Sequence, residues 1–223
     1  MSEKRIENNS SRWKKILCLI LLFLYCSAIS RPLNLPMLGT LSNLMQFVVV
    51  GVMVPDIFRE FKKIKGNKKC LIYVPVGVLV LIGVQGFLWD ELLLPRLLSA
   101  LGISLNDANY DSVTDMIKNN PVIMGTMVCI HGPLIEEILY RYTAFGLIYK
   151  KNRILAYLVS MFLFGLQHVI VAAVWGGDPI QFFNMPGYII AGFIFAFLYS
   201  KSKTLAVPIL VHIIGNSIGM LFI

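Results

Sequence analysis

Six side chains in the second half of the chain have the types and spacings needed for hydrolysis: Glu136, Glu137, Arg141, His168, His212 and Asn216. The two carboxylates and the guanidinium sit in an otherwise apolar run from Val122 to Ile148. An ionisable group at the centre of a bilayer costs about 2.5–3.5 kcal/mol on insertion scales. Three within six residues therefore suggest a site. Successive helical residues are about 100° apart, so Glu136 and Glu137 point in different directions. Glu137 and Arg141 are four apart with the glutamate first, the better orientation for a same-face pair. Glu136 then remains as the carboxylate facing the chemistry, placed to act as a base.

Two further apolar stretches carry matching groups. Phe164-Gly-Leu-Gln-His168 puts an aromatic ring and an imidazole on one helical face, with Gly165 allowing close approach of a neighbouring helix. His212-Ile-Ile-Gly-Asn216 puts an imidazole and an amide on one face, and both can donate hydrogen bonds to a developing oxyanion. Taken singly, each has a plainer reading: a buried ion-pair network, a hydrogen-bonded core histidine, an interhelical clamp. Together they supply a base, an orienting imidazole and oxyanion donors on three helices, enough to activate water. His131 falls off the face of Glu136. Tyr140, four residues after Glu136, either lines the same cavity or packs against the neighbouring span.

The elements that must hold these groups are membrane helices. Of the 223 residues 57% are hydrophobic and 14% charged, with mean hydropathy +0.73. A soluble domain would be about 25% charged. The expected fold is an all-α, polytopic transmembrane helical bundle of about seven spans in a single membrane domain, residues 1–223. Residues 1–120 hold the N-terminal spans and a loop, and residues 121–223 the catalytic core helices. The spans are predicted at about Trp13–Ile29, Leu38–Ile57, Cys70–Trp89, Pro121–Leu147, Ile154–Val174, Pro186–Tyr199 and Thr204 onward. The first is read as a retained span rather than a cleaved leader. Arg31 to Pro36 breaks the helix after it, and the basic cluster Arg59–Lys69 ends the second. Glu91–Leu105 reads as an interfacial helix, and Asn106–Asp115 as a polar loop.

The net charge of +8 is spread in short clusters between apolar runs, which excludes a nucleic-acid surface and fits cytoplasmic loops. With the N-terminus cytoplasmic, the inner segments carry 16 of the 20 basic residues and the outer segments three. Cys18, Cys26, Cys70 and Cys129 lie in or beside apolar runs without a CxxC, and read as small buried hydrophobes. There is no internal repeat of the kind seen in transporters, which disfavours a proton-relay channel.

The three motifs together resemble the CPBP family of intramembrane proteases, which includes the CAAX-processing type II prenyl endopeptidases and bacterial Abi and bacteriocin-processing or self-immunity proteins. The family pattern is Glu-Glu-x-x-x-Arg, then Phe-x-x-x-His, then His-x-x-x-Asn or Asp, on successive core helices. Each position is present in order, as Glu136-Glu137-Ile-Leu-Tyr-Arg141, Phe164-Gly-Leu-Gln-His168 and His212-Ile-Ile-Gly-Asn216, and the likeness covers about residues 121–223. The resemblance implies a cell-membrane, multi-pass, bacterial endopeptidase cutting a peptide or membrane-protein substrate. It implies that Glu136 and His168 activate water, that His212 and Asn216 hold the oxyanion, and that Glu137 and Arg141 support the site.

The resemblance leaves two readings open, a glutamate-type mechanism without a required metal and a metal-dependent one. In the metal-dependent reading Glu136, His168 and His212 would hold a zinc ion, although the chain has no HExxH. Membrane lipid and the peptide substrate are the expected partners, with no signal for oligomeric state and none for a prenyl group. The competing function is a non-catalytic immunity or signalling modulator on the same scaffold.

Overall fold

The computed structural model describes residues 12–25 and 36–223. Cys26, the stretch from Ser27 to Leu35 and the basic residues before Arg12 lie outside the described residues. Within them the chain is all-α, with eight helices and no strand. They are α1 (Arg12–Tyr25), α2 (Pro36–Gly66), α3 (Lys68–Leu101), α4 (Ala108–Asn119), α5 (Pro121–Tyr149), α6 (Arg153–Trp175), α7 (Pro179–Ser202) and α8 (Ala206–Met220). Four of them, α3, α5, α6 and α7, are long and apolar enough to cross a membrane, and α8 is a shorter apolar helix. Phe58, Leu79, Phe87, Val122, Ile154 and Phe162 stand exposed on the outside, as side chains facing lipid would.

Several expected boundaries change. The basic cluster at Arg59–Lys69 does not stop α2, which stays helical to Gly66. Lys, Arg and Glu are good helix formers, so charge ends an apolar run without ending a helix. Here Lys63 pairs with Glu60 at 2.6 Å, one turn apart. The third span and the interfacial segment are one continuous helix, α3, ended by Gly102 in the left-handed conformation (φ 65°). The supposed polar loop is largely helix α4. Asp107 caps it by accepting from the backbone N–H of Asn109 (2.9 Å) and Tyr110 (3.1 Å). The sixth span starts at Pro179, through a 3₁₀ turn, rather than at Pro186. Cys18, Cys70 and Cys129 are buried free thiols, in keeping with their reading as small hydrophobes.

The core centres on α5. From Ile135 to Gly146 every side of the helix is buried. A helix covered all round lies inside a bundle, and α1, α2, α6, α7 and α8 all pack on this one. α6 and α7 form the most extensive helix pair, and glycine sets their spacing. A Cβ on Gly165 would lie 2.6 Å from Ile189 Cγ1 and 3.3 Å from the Met185 carbonyl. One on Gly192 would lie 3.0 Å from the Met161 Cα. The close approach expected at Gly165 is present, and Gly192 supplies its counterpart.

A polar tie fixes the start of α8. The Glu60 carboxylate accepts from the Leu205 N–H (2.9 Å), and the Glu60 carbonyl accepts from the Thr204 hydroxyl (2.6 Å). A carboxylate at a helix N-terminus satisfies an orphan donor and complements the helix dipole. One turn earlier, buried Asp56 pairs with Lys14 at 2.6 Å and with Arg59, and accepts weakly from the Tyr142 hydroxyl at 3.4 Å. α1, α2, α5 and α8 are thereby tied together at one end of the bundle.

Candidate active site

α5 begins at Asn120, whose side chain accepts from the Ile123 N–H, with Pro121 in the first turn. Over Glu137–Phe145 its hydrogen bonding widens to i→i+5 turns. Such widened turns are uncommon and recur at functional sites. Glu137 and Arg141 still meet, Oε1 to Nη1, at 3.2 Å, both fully buried. Arg141 Nη2 also donates to the Gly192 carbonyl (3.1 Å). The guanidinium lies over the rings of Phe164 (4.3 Å) and Phe195 (5.0 Å). Desolvated cation–π contacts of this kind contribute about 2 kcal/mol or more. The expected Glu137–Arg141 pair is therefore present, and the α6–α7 glycine packing brings its third partner.

α8 delivers His212 to the same carboxylate. His212 Nδ1 lies 3.1 Å from Glu137 Oε1. A carboxylate accepts, so this contact sets Nδ1 as the protonated nitrogen and turns Nε2 the other way. Nε2 faces Glu136 Oε2 at 3.7 Å, beyond direct hydrogen-bond length. The Phe195 ring stacks on the imidazole at 4.4 Å and 20°, and Phe164 meets it edge-on at 5.9 Å. Glu136, buried like its neighbour, thus sits beside an imidazole already oriented by Glu137.

His168, near the end of α6, is fixed by its own helix. Its Nδ1 lies 2.7 Å from the Phe164 carbonyl. A carbonyl can only accept, so Nδ1 carries the proton and Nε2 keeps a lone pair for base chemistry. Glu136, His212 and Asp107 lie within electrostatic reach of this ring. The structure therefore brings Glu136, Glu137, Arg141, His168 and His212 into one interior region from three helices.

Of the two readings of Asn216, oxyanion donor and interhelical clamp, its resting contact is that of a clamp. Its side-chain N–H donates to the Val128 carbonyl of α5 at 3.0 Å, inside a second widened stretch, Met127–His131. His212 and Asn216 thus both bind α5, as an interhelical clamp would, and one Asn216 donor is committed there. Tyr140 packs against the neighbouring span, its hydroxyl donating to Gln167 Oε1 at 2.6 Å and its ring meeting Phe164 edge-on. His131 packs against Phe47, ring centroids 4.6 Å apart and tilted by 35°, and stays out of the site.

Among the described residues no group of three or more His, Cys, Asp or Glu side chains is arranged to hold a metal ion. Glu136, His168 and His212 do not form such a donor set in this geometry, and no step is assigned to a metal.

Two groups that spacing did not single out border the site. Tyr188 of α7 stacks on His168 at 4.2 Å and 15°, and its hydroxyl donates to Asp107 at 2.6 Å. Asp107 carries a recognisable cap signal, an aspartate opening a helix. Tyr188 carries none, because a tyrosine in an apolar span reads as packing.

Residues 118–218 match the family model described as type II CAAX prenyl endopeptidase Rce1-like. The chain is 33% identical over 117 residues to "Putative membrane peptidase YdiL" of Bacillus subtilis, covering 52% of this chain and 43% of that protein. It is 35% identical over 121 residues to "Membrane-embedded CAAX protease MroQ" of Staphylococcus aureus, covering 51% and 44%. It is also 23% identical over 113 residues to "UPF0177 protein YvdC" of Lactococcus lactis. The matched region thus spans under half the length of these curated relatives. No solved structure matches the chain.

Proposed function

We propose, from the match of residues 118–218 to the type II CAAX prenyl endopeptidase Rce1-like family model, that this membrane protein is an intramembrane endopeptidase. It hydrolyses a peptide bond of a peptide or membrane-associated protein through a water activated by Glu136 and His168. The observation that best supports this reading is the convergence of Glu136 with an oriented imidazole, His212 Nε2 at 3.7 Å, in the buried interior. Chance placement of carboxylates and histidines in lipid is costly, so their meeting calls for a role.

Glu136 takes a proton from water as its oxygen attacks the scissile carbonyl, and returns that proton to the leaving amine. His168 Nε2 accepts a hydrogen bond from the same water and orients it. In its doubly protonated form His212 donates through Nε2 to the oxyanion while Nδ1 stays on Glu137. The second N–H of Asn216 is the other donor. Arg141 and Glu137 hold His212 in place. On this reading the whole chain sits in the cell membrane with about seven spans and a cytoplasmic N-terminus, in contact with lipid on its apolar flanks.

The test uses the full chain purified in detergent and a quenched peptide library with apolar flanks. Wild type cleaves, while Glu136→Gln and His168→Gln each abolish turnover at unchanged expression. Undiminished cleavage by both variants would remove the mechanism.

A further inference from the structure

The orientation of His168, one of the two proposed water-activating groups, depends on residues outside the three motifs. Its Nδ1 contact with Phe164 fixes the ring within its own helix. The ring's outer face is covered by Tyr188, parallel within 15° and 4.2 Å away. Tyr188 is itself immobilised. Its hydroxyl donates to Asp107 Oδ2 at 2.6 Å and accepts from Asn109 Nδ2 at 3.1 Å. The segment carrying Asp107 is pinned to the start of α7 by two more bonds. The Ala108 N–H donates to Gln181 Oε1 (3.2 Å), and Asn184 Nδ2 donates to the Asn106 carbonyl (3.1 Å).

The residue before Tyr188 is fitted as closely. A Cβ on Gly187 would lie 2.9 Å from Asp90 Oδ1 and 3.0 Å from the Trp89 ring. α3 thus closes on the turn that carries Tyr188. The groups facing His168 are Glu136 from α5, His212 from α8, Tyr188 from α7 and Asp107 from the α3–α4 connection.

We infer that Tyr188, held by Asp107, is a positioning residue that orients the His168 imidazole for water activation. Three contacts define the ring: a hydrogen bond to the Phe164 carbonyl, the tilted Phe164 ring at 4.8 Å and a parallel face contact with Tyr188. Removing the face contact leaves only the Phe164 ring to oppose rotation of the imidazole about its hydrogen bond to the Phe164 carbonyl. A small misplacement of an activating group costs up to about a hundredfold in rate.

The kinetic part of this inference rests on the endopeptidase reading, and the spectroscopic part does not. Tyr188→Leu lowers kcat about 10- to 100-fold with KM within about twofold of wild type. Tyr188→Phe keeps the ring and loses only its anchor, so kcat falls less, about tenfold or under. Asp107→Asn preserves the helix cap, since Asn caps as well as Asp, and matches Tyr188→Phe. The double variant adds no further loss. Independently, NMR of histidine-labelled protein in detergent reads the His168 ring, assigned with His168→Gln. Its ring protons lose the aromatic upfield shift in Tyr188→Leu and keep it in Tyr188→Phe. Unmoved His168 signals in Tyr188→Leu would overturn the inference even if wild type proves inactive. A lost stack with unchanged kcat in an active enzyme would overturn it while leaving the endopeptidase reading intact.

Discussion

Glu137 Oε1 lies 3.1 Å from His212 Nδ1, joining two residues 75 positions apart. The same oxygen lies 3.2 Å from Arg141 Nη1. One carboxylate oxygen therefore fixes both a guanidinium on its own helix and an imidazole on α8. In the proposed mechanism this divides the adjacent glutamates by role, with Glu137 structural and Glu136 presented to the chemistry.

Removing that shared carboxylate should cost stability first. Glu137→Gln leaves the fully buried Arg141 charge uncompensated, a loss of about 3–5 kcal/mol. Glu136→Gln keeps the Glu137–Arg141–His212 set and should lower the melting temperature less. Thermal unfolding of the two variants in the same detergent measures the contrast. A larger loss for Glu136→Gln would reverse the assignment.

Glycine at the α6–α7 crossing should be replaceable only at a cost. Gly165→Ala sets a Cβ against Ile189 and the Met185 carbonyl, and Gly192→Ala sets one against the Met161 backbone. Each should destabilise by about 1–3 kcal/mol as an overpacked contact. Gly51→Ala, with nothing within 4 Å of the added carbon, is the control and should stay within about 0.5 kcal/mol.

The tie between α2 and α8 should behave as a cap rather than as part of the chemistry. Glu60→Ala removes the acceptor of the Leu205 N–H, and a cap loss costs about 0.5–2 kcal/mol. Unfolding should shift by that amount, with turnover per folded molecule nearly unchanged. A selective collapse of turnover would mean that the tie controls His212 directly.

The basic-residue distribution makes a topological prediction. In a variant lacking native cysteines, Lys63→Cys should be protected from an impermeant thiol reagent in intact cells, and Lys118→Cys should be labelled. Labelling in the opposite sense would reverse the assigned orientation.

Much of this arrangement was legible in the chain because lipid makes polar residues conspicuous. Glu137 with Arg141, and the close approach at Gly165, followed from four-residue spacing and the absence of a side chain. The helical fold followed from apolar runs. Other features had no local signal. The widened turns at Glu137–Phe145 shift the register that simple helical spacing assumes. The contact of His212 with Glu137 depends on how α8 meets α5, and Asn216 found the Val128 carbonyl for the same reason. Tyr188 matters only because α7 lies against α6. Helix α4 was missed because its polar composition masked an aspartate cap.

In the proposed mechanism Glu136 activates the water that cuts a peptide bond. The most direct measurement compares the membrane and secreted peptides of cells producing wild type with those producing Glu136→Gln at equal level. A peptide or membrane protein should accumulate uncut in the variant, and purified wild type, but not Glu136→Gln, should cleave it at one defined bond. Identical peptide profiles, with any biological effect of the chain retained in Glu136→Gln, would contradict this mechanism and favour a binding role on the same scaffold.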